Sequence, residues 1–279
     1  MEKAEALLKR IQQKQYKPIY LLHGLDETYF VDLIAAYIEK NVLSEDQKAF
    51  NQTILYGKDT DVDDLINAAK RYPMMADYQV IILREAQDLK NIEKLEAYVK
   101  KPQQTTILVL CFKYKKIDGR KKIFKLIKSQ HEFYQTANIY ENQVVKWINY
   151  SLRKSGFGID PKAIKMLLEY LGNSLSHINK ELEKLKQILP ASTTILPEHV
   201  EEHVGISKDY NNFELINAIG LKDDLKAQKI AKYFAQNPKN HQLVVTLGLL
   251  FSYFTKILTY HALNDKSRNN VASALGVPA

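Results

Sequence analysis

The first half of the chain alternates short apolar runs with helical patterns, and this alternation constrains the fold more strongly than any other feature. The apolar runs are IYLLH (19–23), FNQTILY (50–56), YQVIIL (78–83), TTILVLCF (105–112) and EFYQT (132–136). Helical patterns separate them at approximately 26–40, 61–72, 90–100 and 119–129. Strands that alternate with helices form a mainly parallel sheet covered by helices. We therefore predict an open α/β layer domain over residues 1–139.

Beyond residue 139 the sequence shows only helical patterns. Apolar positions three and four apart mark VVKWINYSLRKSG, DPKAIKMLLEYLG and SLSHINKELEKLKQIL. Pro161 lies in the first turn of a predicted helix, Gly172 ends it, and Ser174 is the expected cap of the next helix. FELINAIG and DLKAQKIAKYFAQN continue the pattern after a short segment led by Pro197. We predict a small helical domain at 140–207 and a second helical domain at 208–279.

The last long helical pattern, HQLVVTLGLLFSYFTKILTYHAL, is apolar on most sides. Such a helix is normally buried, so we expect it inside a helical bundle, which other chains could share. The sequence then stops at SALGVPA without an obvious final element. We therefore expect the last domain to be incomplete at its C-terminal end.

The composition indicates an ordinary soluble protein. Its 279 residues are 46% hydrophobic and 26% charged, which fits two or three globular domains. No run approaches about 18 uninterrupted apolar residues, and the amphipathic start MEKAEALLKRIQQKQ is unlike a signal peptide. We expect a cytoplasmic protein with no membrane partner. Cys111 is the single cysteine, which excludes internal disulfides, and we expect it buried in its apolar run.

The net charge of +8 is compatible with an acidic partner such as nucleic acid. The densest basic cluster is KYKKIDGRKK, at residues 113–122. It fits two interpretations equally, a solvated loop with a helix start or a set of phosphate contacts.

A strand, a glycine and a helix at the start of the α/β domain invite comparison with the phosphate loop GxxxxGK[ST]. Counted from Gly24, Tyr29 replaces the second glycine and Phe30 replaces the lysine. Val31 replaces the hydroxyl that would bind magnesium. Arg84 follows the strand VIIL, where an ATPase needs a metal-binding acid. Gly24, Phe30 and Arg84 therefore mark a degenerate nucleotide site, and we expect no bound cofactor.

Two metal-like motifs have simpler explanations. His199, Glu202 and His203 have the HxxEH spacing of a zinc site, but no convincing third ligand is placed nearby. The acids of DTDVD (59–63) lack the glycine and glutamate of a calcium loop, and they are explained by the dipole of a helix N-terminus. We expect no metal site.

Two adjacent methionines lie in RYPMMADYQV (71–80), between a predicted helix and a predicted strand. Pro73 disfavours helical geometry at Tyr72, so the helix should end there. Met74 and Met75 would then form a turn, from which adjacent side chains cannot both enter one core. Either methionine could be tucked under the sheet edge. We favour the alternative, a protruding apolar wedge that enters a partner's pocket.

Three stretches carry a resemblance to a known family. PIYLLHGLDETYFVDLI is similar to its strand, glycine, acidic turn and helix, and QVIILREAQDL is similar to its central strand. LGNSLSHINKELEKLKQI is similar to a glycine-containing turn and helix of its lid domain. In this order and spacing, over nearly the whole chain, they resemble the delta subunits of bacterial DNA polymerase III clamp loaders, which are AAA+-like proteins without ATPase activity.

The resemblance implies an inert AAA+/RecA-like domain at 1–139, a helical lid at 140–207 and part of a helical collar at 208–279. It also implies that Pro73, Met74 and Met75 form a wedge, which enters a hydrophobic pocket of the ring-shaped sliding clamp and helps to open it for loading onto primed DNA. The family often has Leu or Phe at this place. Plausible flanking contacts are Arg71, Tyr72 and Gln79.

The implied partners are the sliding clamp (beta), the sister subunits gamma/tau and delta prime, and DNA in the assembled complex. ATP would be used by the sister subunits, so this chain would serve DNA replication without catalysis of its own. Three alternatives remain. Phe30 and Arg84 argue against an active P-loop ATPase, and the single cysteine argues against the other inert subunit, which commonly keeps a zinc-binding cysteine cluster. The third is a general nucleic-acid-binding scaffold.

Overall fold

The structure is a computed structural model that describes residues 2–136, 139–205, 209–238 and 241–276. The chain divides into two compact units, Met1–Ile139 and Tyr140–Ala279. The expected boundary between a lid and a collar, at 207 and 208, lies outside the described residues, so this further division stays a prediction.

The first unit contains a five-stranded parallel sheet with the order β2-β3-β4-β1-β5. Its strands are β1 (Ile19–Gly24), β2 (Gln52–Tyr56), β3 (Gln79–Arg84), β4 (Thr106–Lys113) and β5 (Glu132–Gln135). β1 is buried throughout, and β3 and β4 are buried except at their last residue. Helices that cover both faces of a parallel sheet require such continuous apolar strands. The predicted parallel α/β domain is confirmed.

The described part of this unit, residues 2–136 and 139, contains six α-helices. They are α1 (Glu2–Gln12), α2 (Tyr29–Asn41), α3 (Glu45–Asn51), α4 (Val62–Ala69), α5 (Glu96–Lys100) and α6 (Lys122–Gln130). The sequence did not predict α3, and the apolar run at 50–56 was wrongly assigned in full to a strand, since its first two residues end this helix. The helix predicted at 90–100 is divided into a 3-10 turn, Ile92–Leu95, and the short α5.

Cys111 lies in the middle of β4 and is buried, as predicted. Burial raises the pKa of its thiol to about 12, so the group stays protonated at neutral pH.

The second unit is mainly helical. Its helices are α7 (Glu141–Lys154), α8 (Pro161–Leu171), α9 (Leu175–Ile188), α10 (Pro197–Val204), α11 (Asn212–Gly220), α12 (Asp224–Gln236), α13 (Leu243–Ala262) and α14 (Arg268–Leu275). Pro161 begins α8, Gly172 ends it with φ of +64°, and Ser174 caps α9 by accepting a hydrogen bond from His177 N. These three predictions are confirmed.

The expectation of no strands beyond residue 139 was wrong. β6 (Gly158–Ile159) and β7 (Thr194–Ile195) form a small parallel ladder. Strands of two residues carry no period that a sequence pattern could reveal.

Helix α13 was expected inside a bundle, but in the described chain Thr246 is its single buried residue. Leu243, Val244, Phe251 and Leu258 are among its exposed apolar side chains. Its length and composition would let it cross a membrane. This is weak evidence for a membrane span, because core helices of soluble proteins can be equally long and apolar. A bundle shared with other chains remains a prediction.

Two paired isoleucines in the main sheet allow a matched test of which strand belongs to the core. Ile82 on β3 is fully buried, and Ile54, its register partner on β2, is 37% exposed. We expect Ile82→Ala to lower the free energy of unfolding by about 2–5 kcal/mol, because it leaves a cavity in the core. Ile54→Ala should cost about 1 kcal/mol or less. Urea denaturation followed by circular dichroism measures both, and equal losses would contradict the assignment of β3 to the core.

Candidate functional site

The turn after β1 is closed tightly around Gly24. A Cβ atom at this position would lie 2.5 Å from the carbonyl oxygen of Glu27, so only glycine fits. The hydroxyl of Thr136 donates to the carbonyl oxygens of Glu27 at 2.8 Å and His23 at 3.0 Å. The chain's own groups therefore fill the space beneath this turn.

A carboxylate lies at the N-terminus of α2, where a phosphate would bind in a nucleotide site. Oε1 of the buried Glu27 accepts a hydrogen bond of 2.6 Å from the backbone N–H of Tyr29. Phe30, which replaces the phosphate-binding lysine, is buried in the core. A negative charge at this helix end and an absent cation both disfavour a bound triphosphate.

Arg84 lies at the end of β3 and forms an ion pair of 2.9 Å with Glu39 on α2. Burial opposes its charge, but the hydrogen bond and the charge of Glu39 raise the pKa of Arg84 above its ordinary value. A fixed cation here cannot ligate magnesium. The structure therefore places Gly24 and Phe30 at one turn and Arg84 two strands away, each engaged within the chain.

Residues 71–77, which lie between α4 and β3, form a surface segment that we call the methionine loop. Met75 is 99% exposed and Met74 is 62% exposed. The interpretation that either side chain is tucked under the sheet edge is therefore wrong for this chain. Arg71 and Tyr72 are also exposed, and Pro73 is half-buried.

Helix α3 holds the backbone of the methionine loop. The buried Asn51 accepts a hydrogen bond of 2.6 Å from the N–H of Met74 and donates one of 2.9 Å to its carbonyl oxygen. Gln47, one helical turn earlier, approaches the carbonyl oxygen of Met75 at 3.5 Å. Met75 has a left-handed backbone with φ of +52°, which is unfavourable for a residue other than glycine. The side chains are thus exposed while the main chain is held.

Gln79 supports the loop from below. Its side chain is buried, and Nε2 donates to the carbonyl oxygens of Arg71 at 2.8 Å and Ala68 at 3.0 Å. Thr106 Oγ1 and Tyr98 Oη donate to the carbonyl oxygen of Ala69 at 2.9 Å and 3.1 Å. These bonds satisfy the carbonyl groups at the end of α4. Gln79 therefore offers little surface for the flanking contact that the resemblance implies.

Sequence reasoning missed Asn51, Gln47 and the exposed Phe50, all on α3. The spacing of Ser44 and Gln47 was a usable signal, because Ser-x-x-Gln is typical of a helix N-terminus. In the structure the N–H of Ser44 donates to Gln47 Oε1 at 3.2 Å.

The basic cluster at 113–122 is largely paired with acids. The ion pairs are Lys113–Asp32 at 2.5 Å, Lys115–Asp88 at 2.6 Å, Arg120–Asp118 at 3.0 Å and Lys121–Glu93 at 3.3 Å. Pairing with these acids leaves less positive charge for phosphate groups. Among the described residues, no three His, Cys, Asp or Glu side chains are grouped to hold a metal ion.

Known proteins resemble this chain in sequence and in fold. Residues 20–137 match the family model for DNA polymerase III, delta subunit. The sequence is 26% identical to DNA polymerase III subunit delta of Bacillus subtilis, over 96% of this chain and 80% of the relative. The solved structure of the Bacillus subtilis DNA clamp loader delta protein (YqeN) matches with a TM-score of 0.61 at 24% identity, covering 98% of this chain and 84% of that chain.

The fold, a parallel α/β unit followed by helices, is therefore similar to that of the Bacillus subtilis delta protein, and the predicted fold class is confirmed. More particularly, the chain is similar to the delta subunits of bacterial DNA polymerase III, and the resemblance inferred from its sequence is confirmed.

The exposure of the methionine loop has a chemical test. Dilute hydrogen peroxide should convert Met75 and Met74 to sulfoxides well before Met166, which is 1% exposed in α8. Peptide mass spectrometry after timed quenching measures the three rates. In urea the rates should converge, because unfolding exposes all three side chains equally. Oxidation of Met166 as fast as Met75 in the folded chain would contradict the assignment.

Proposed function

We propose that this chain is the delta subunit of a DNA polymerase III clamp loader. It binds the ring-shaped sliding clamp (beta) through Pro73, Met74 and Met75 and helps to open the ring for loading onto primed DNA during replication. The observation that carries the proposal is the methionine loop, in which two apolar side chains are exposed on a main chain held by hydrogen bonds. The similarity to delta subunits supports it.

The energetics are adequate for an anchor. Burying two methionine side chains contributes roughly 3–6 kcal/mol before the costs of association. Opening follows if the loop binds the open ring more tightly than the closed ring, because a ligand shifts an equilibrium only by its differential affinity. Arg71 and Tyr72, both exposed, are the proposed flanking contacts.

The proposed role is mechanical and requires no cofactor. The carboxylate of Glu27 at the α2 N-terminus, the buried Phe30 and the Arg84–Glu39 pair all disfavour ATP binding. ATP would be used by the gamma/tau sister subunits of a cytoplasmic complex that also contains delta prime and contacts DNA.

The helical unit is proposed to contain a lid at 140–207 and a collar at 208–279. The exposed apolar side of α13 supports a collar that packs against sister subunits. Such a contact would bury apolar surface that the chain alone leaves in water.

Paired substitutions test the anchor. Met74→Gln/Met75→Gln keeps the side-chain length but adds polar groups that would enter an apolar pocket unpaired, so we expect binding to a purified bacterial sliding clamp to weaken about 100-fold. Met74→Leu/Met75→Leu retains apolar volume and should bind within a few-fold of the unmutated chain. Isothermal titration calorimetry measures both.

Unchanged binding of the glutamine variant would remove the anchor role from these residues. A chain that ignored the clamp and bound duplex DNA with a steep salt dependence would instead be a general nucleic-acid scaffold.

Nucleotide binding tests the inert site. We expect no heat of binding and no shift in thermal midpoint when magnesium and ATP are added at micromolar to millimolar concentration, because a ligand that binds the folded state would stabilise it. A P-loop ATPase measured in parallel provides the positive control. Saturable binding at micromolar ATP would favour the active ATPase.

A further inference from the structure

We propose that Asn51 is a positioning residue that holds the methionine loop ready to bind its partner. This inference rests on the proposed clamp-binding function of that loop. It adds a residue that would not touch the clamp pocket but would set how often the loop has the shape to enter it.

The side-chain amide of Asn51 matches the backbone of Met74 group for group. Its Oδ1 accepts from Met74 N at 2.6 Å, and its Nδ2 donates to Met74 O at 2.9 Å. The second proton of Nδ2 reaches Gln47 O at 3.1 Å, which ties the same amide to α3. An asparagine offers one acceptor and two donors, and here all three bonds are made. Asn51 is 3% exposed, so water competes little for these groups.

The next residue has a backbone that needs such support. Met75 has φ of +52°, and unfavourable backbone conformations persist when surrounding contacts hold them. Gln47 Nε2 approaches Met75 O at 3.5 Å, the outer limit of a hydrogen bond, while its Oε1 is held by Ser44 N at 3.2 Å. Helix α3 thus contacts the main chain of both methionines and leaves both side chains outward.

A preformed loop has a defined consequence for binding. When only a fraction of molecules has the competent shape, the apparent dissociation constant rises by the inverse of that fraction. Removing Asn51 would lower the fraction without removing any contact to the clamp. The loss should therefore appear mainly in the association rate constant. Removal of the methionine contacts themselves should instead appear mainly in the dissociation rate constant.

The experiment uses the full chain and a purified bacterial sliding clamp in surface plasmon resonance. We expect Asn51→Ala to weaken binding about tenfold, with most of the change in the association rate, since two hydrogen bonds to the loop are lost. Asn51→Asp keeps the acceptor for Met74 N but places a carboxylate oxygen against the carbonyl oxygens of Met74 and Gln47, so it should weaken binding at least as much as Asn51→Ala. Asn41→Ala is the matched control. The Nδ2 of Asn41 donates to Tyr37 O in its own helix at 2.9 Å, so this substitution also removes an asparagine hydrogen bond, but one that does not involve the methionine loop.

Two further measurements separate positioning from loss of stability. Ile82→Val lowers stability from the core and should leave clamp binding unchanged at a temperature where the chain is folded. Hydrogen exchange at the Met74 amide should accelerate in Asn51→Ala and stay slow in Asn41→Ala. Clamp binding unchanged in Asn51→Ala, or weakened equally in Ile82→Val, would overturn the proposal.

If the unmutated chain does not bind the clamp, the proposed function fails and the exchange data decide the role of Asn51. Faster exchange at Met74 in Asn51→Ala, with Asn41→Ala unchanged, would support positioning of the loop. Equal exchange in both variants would overturn it.

Discussion

The central strands are buried on both faces of the sheet, and this burial limits where the protein can place reactive groups or binding contacts. β1, β3 and β4 are parallel and apolar, so polar and functional groups are confined to the two edges where the strands begin and end. Gly24 and Arg84 lie at the carboxyl ends, where such sheets usually bind ligands. The methionine loop precedes β3 and so lies at the opposite edge. The predicted degenerate nucleotide site and the proposed anchor are thus separated by the length of the strands.

The positions that the sequence predicts to be a degenerate nucleotide site are engaged within the chain. Glu27 satisfies a backbone N–H at the start of α2, Thr136 closes the turn, and Glu39 holds Arg84. Glu27 and Thr136 stabilise the local backbone, and Glu39 balances the charge of Arg84.

The sequence predicted the features that arise from local rules. Apolar runs located all five strands of the main sheet, Pro161, Gly172 and Ser174 marked helix ends, and Pro73 placed the methionines in a turn. It did not predict the Asn51–Met74 bonds, because they join residues far apart in sequence and leave no periodic signal. Gln79 was expected as a flanking contact, because its polar side chain gives no sign in the sequence that it will bond to carbonyl groups inside the protein. Helix α13 was expected to be buried because it is apolar on most sides. An apolar composition does not reveal whether the same chain supplies the surface that would cover it.

The single thiol of Cys111 gives the chain a practical property. Because this thiol is buried in β4 and protonated, it will react very slowly with maleimide reagents while the protein is folded. A cysteine introduced at the exposed Asp77, at the far end of the methionine loop, would then be the one site that a fluorophore or spin label marks. Distances and motions of the loop could be followed in an otherwise native background, without first removing any natural side chain elsewhere.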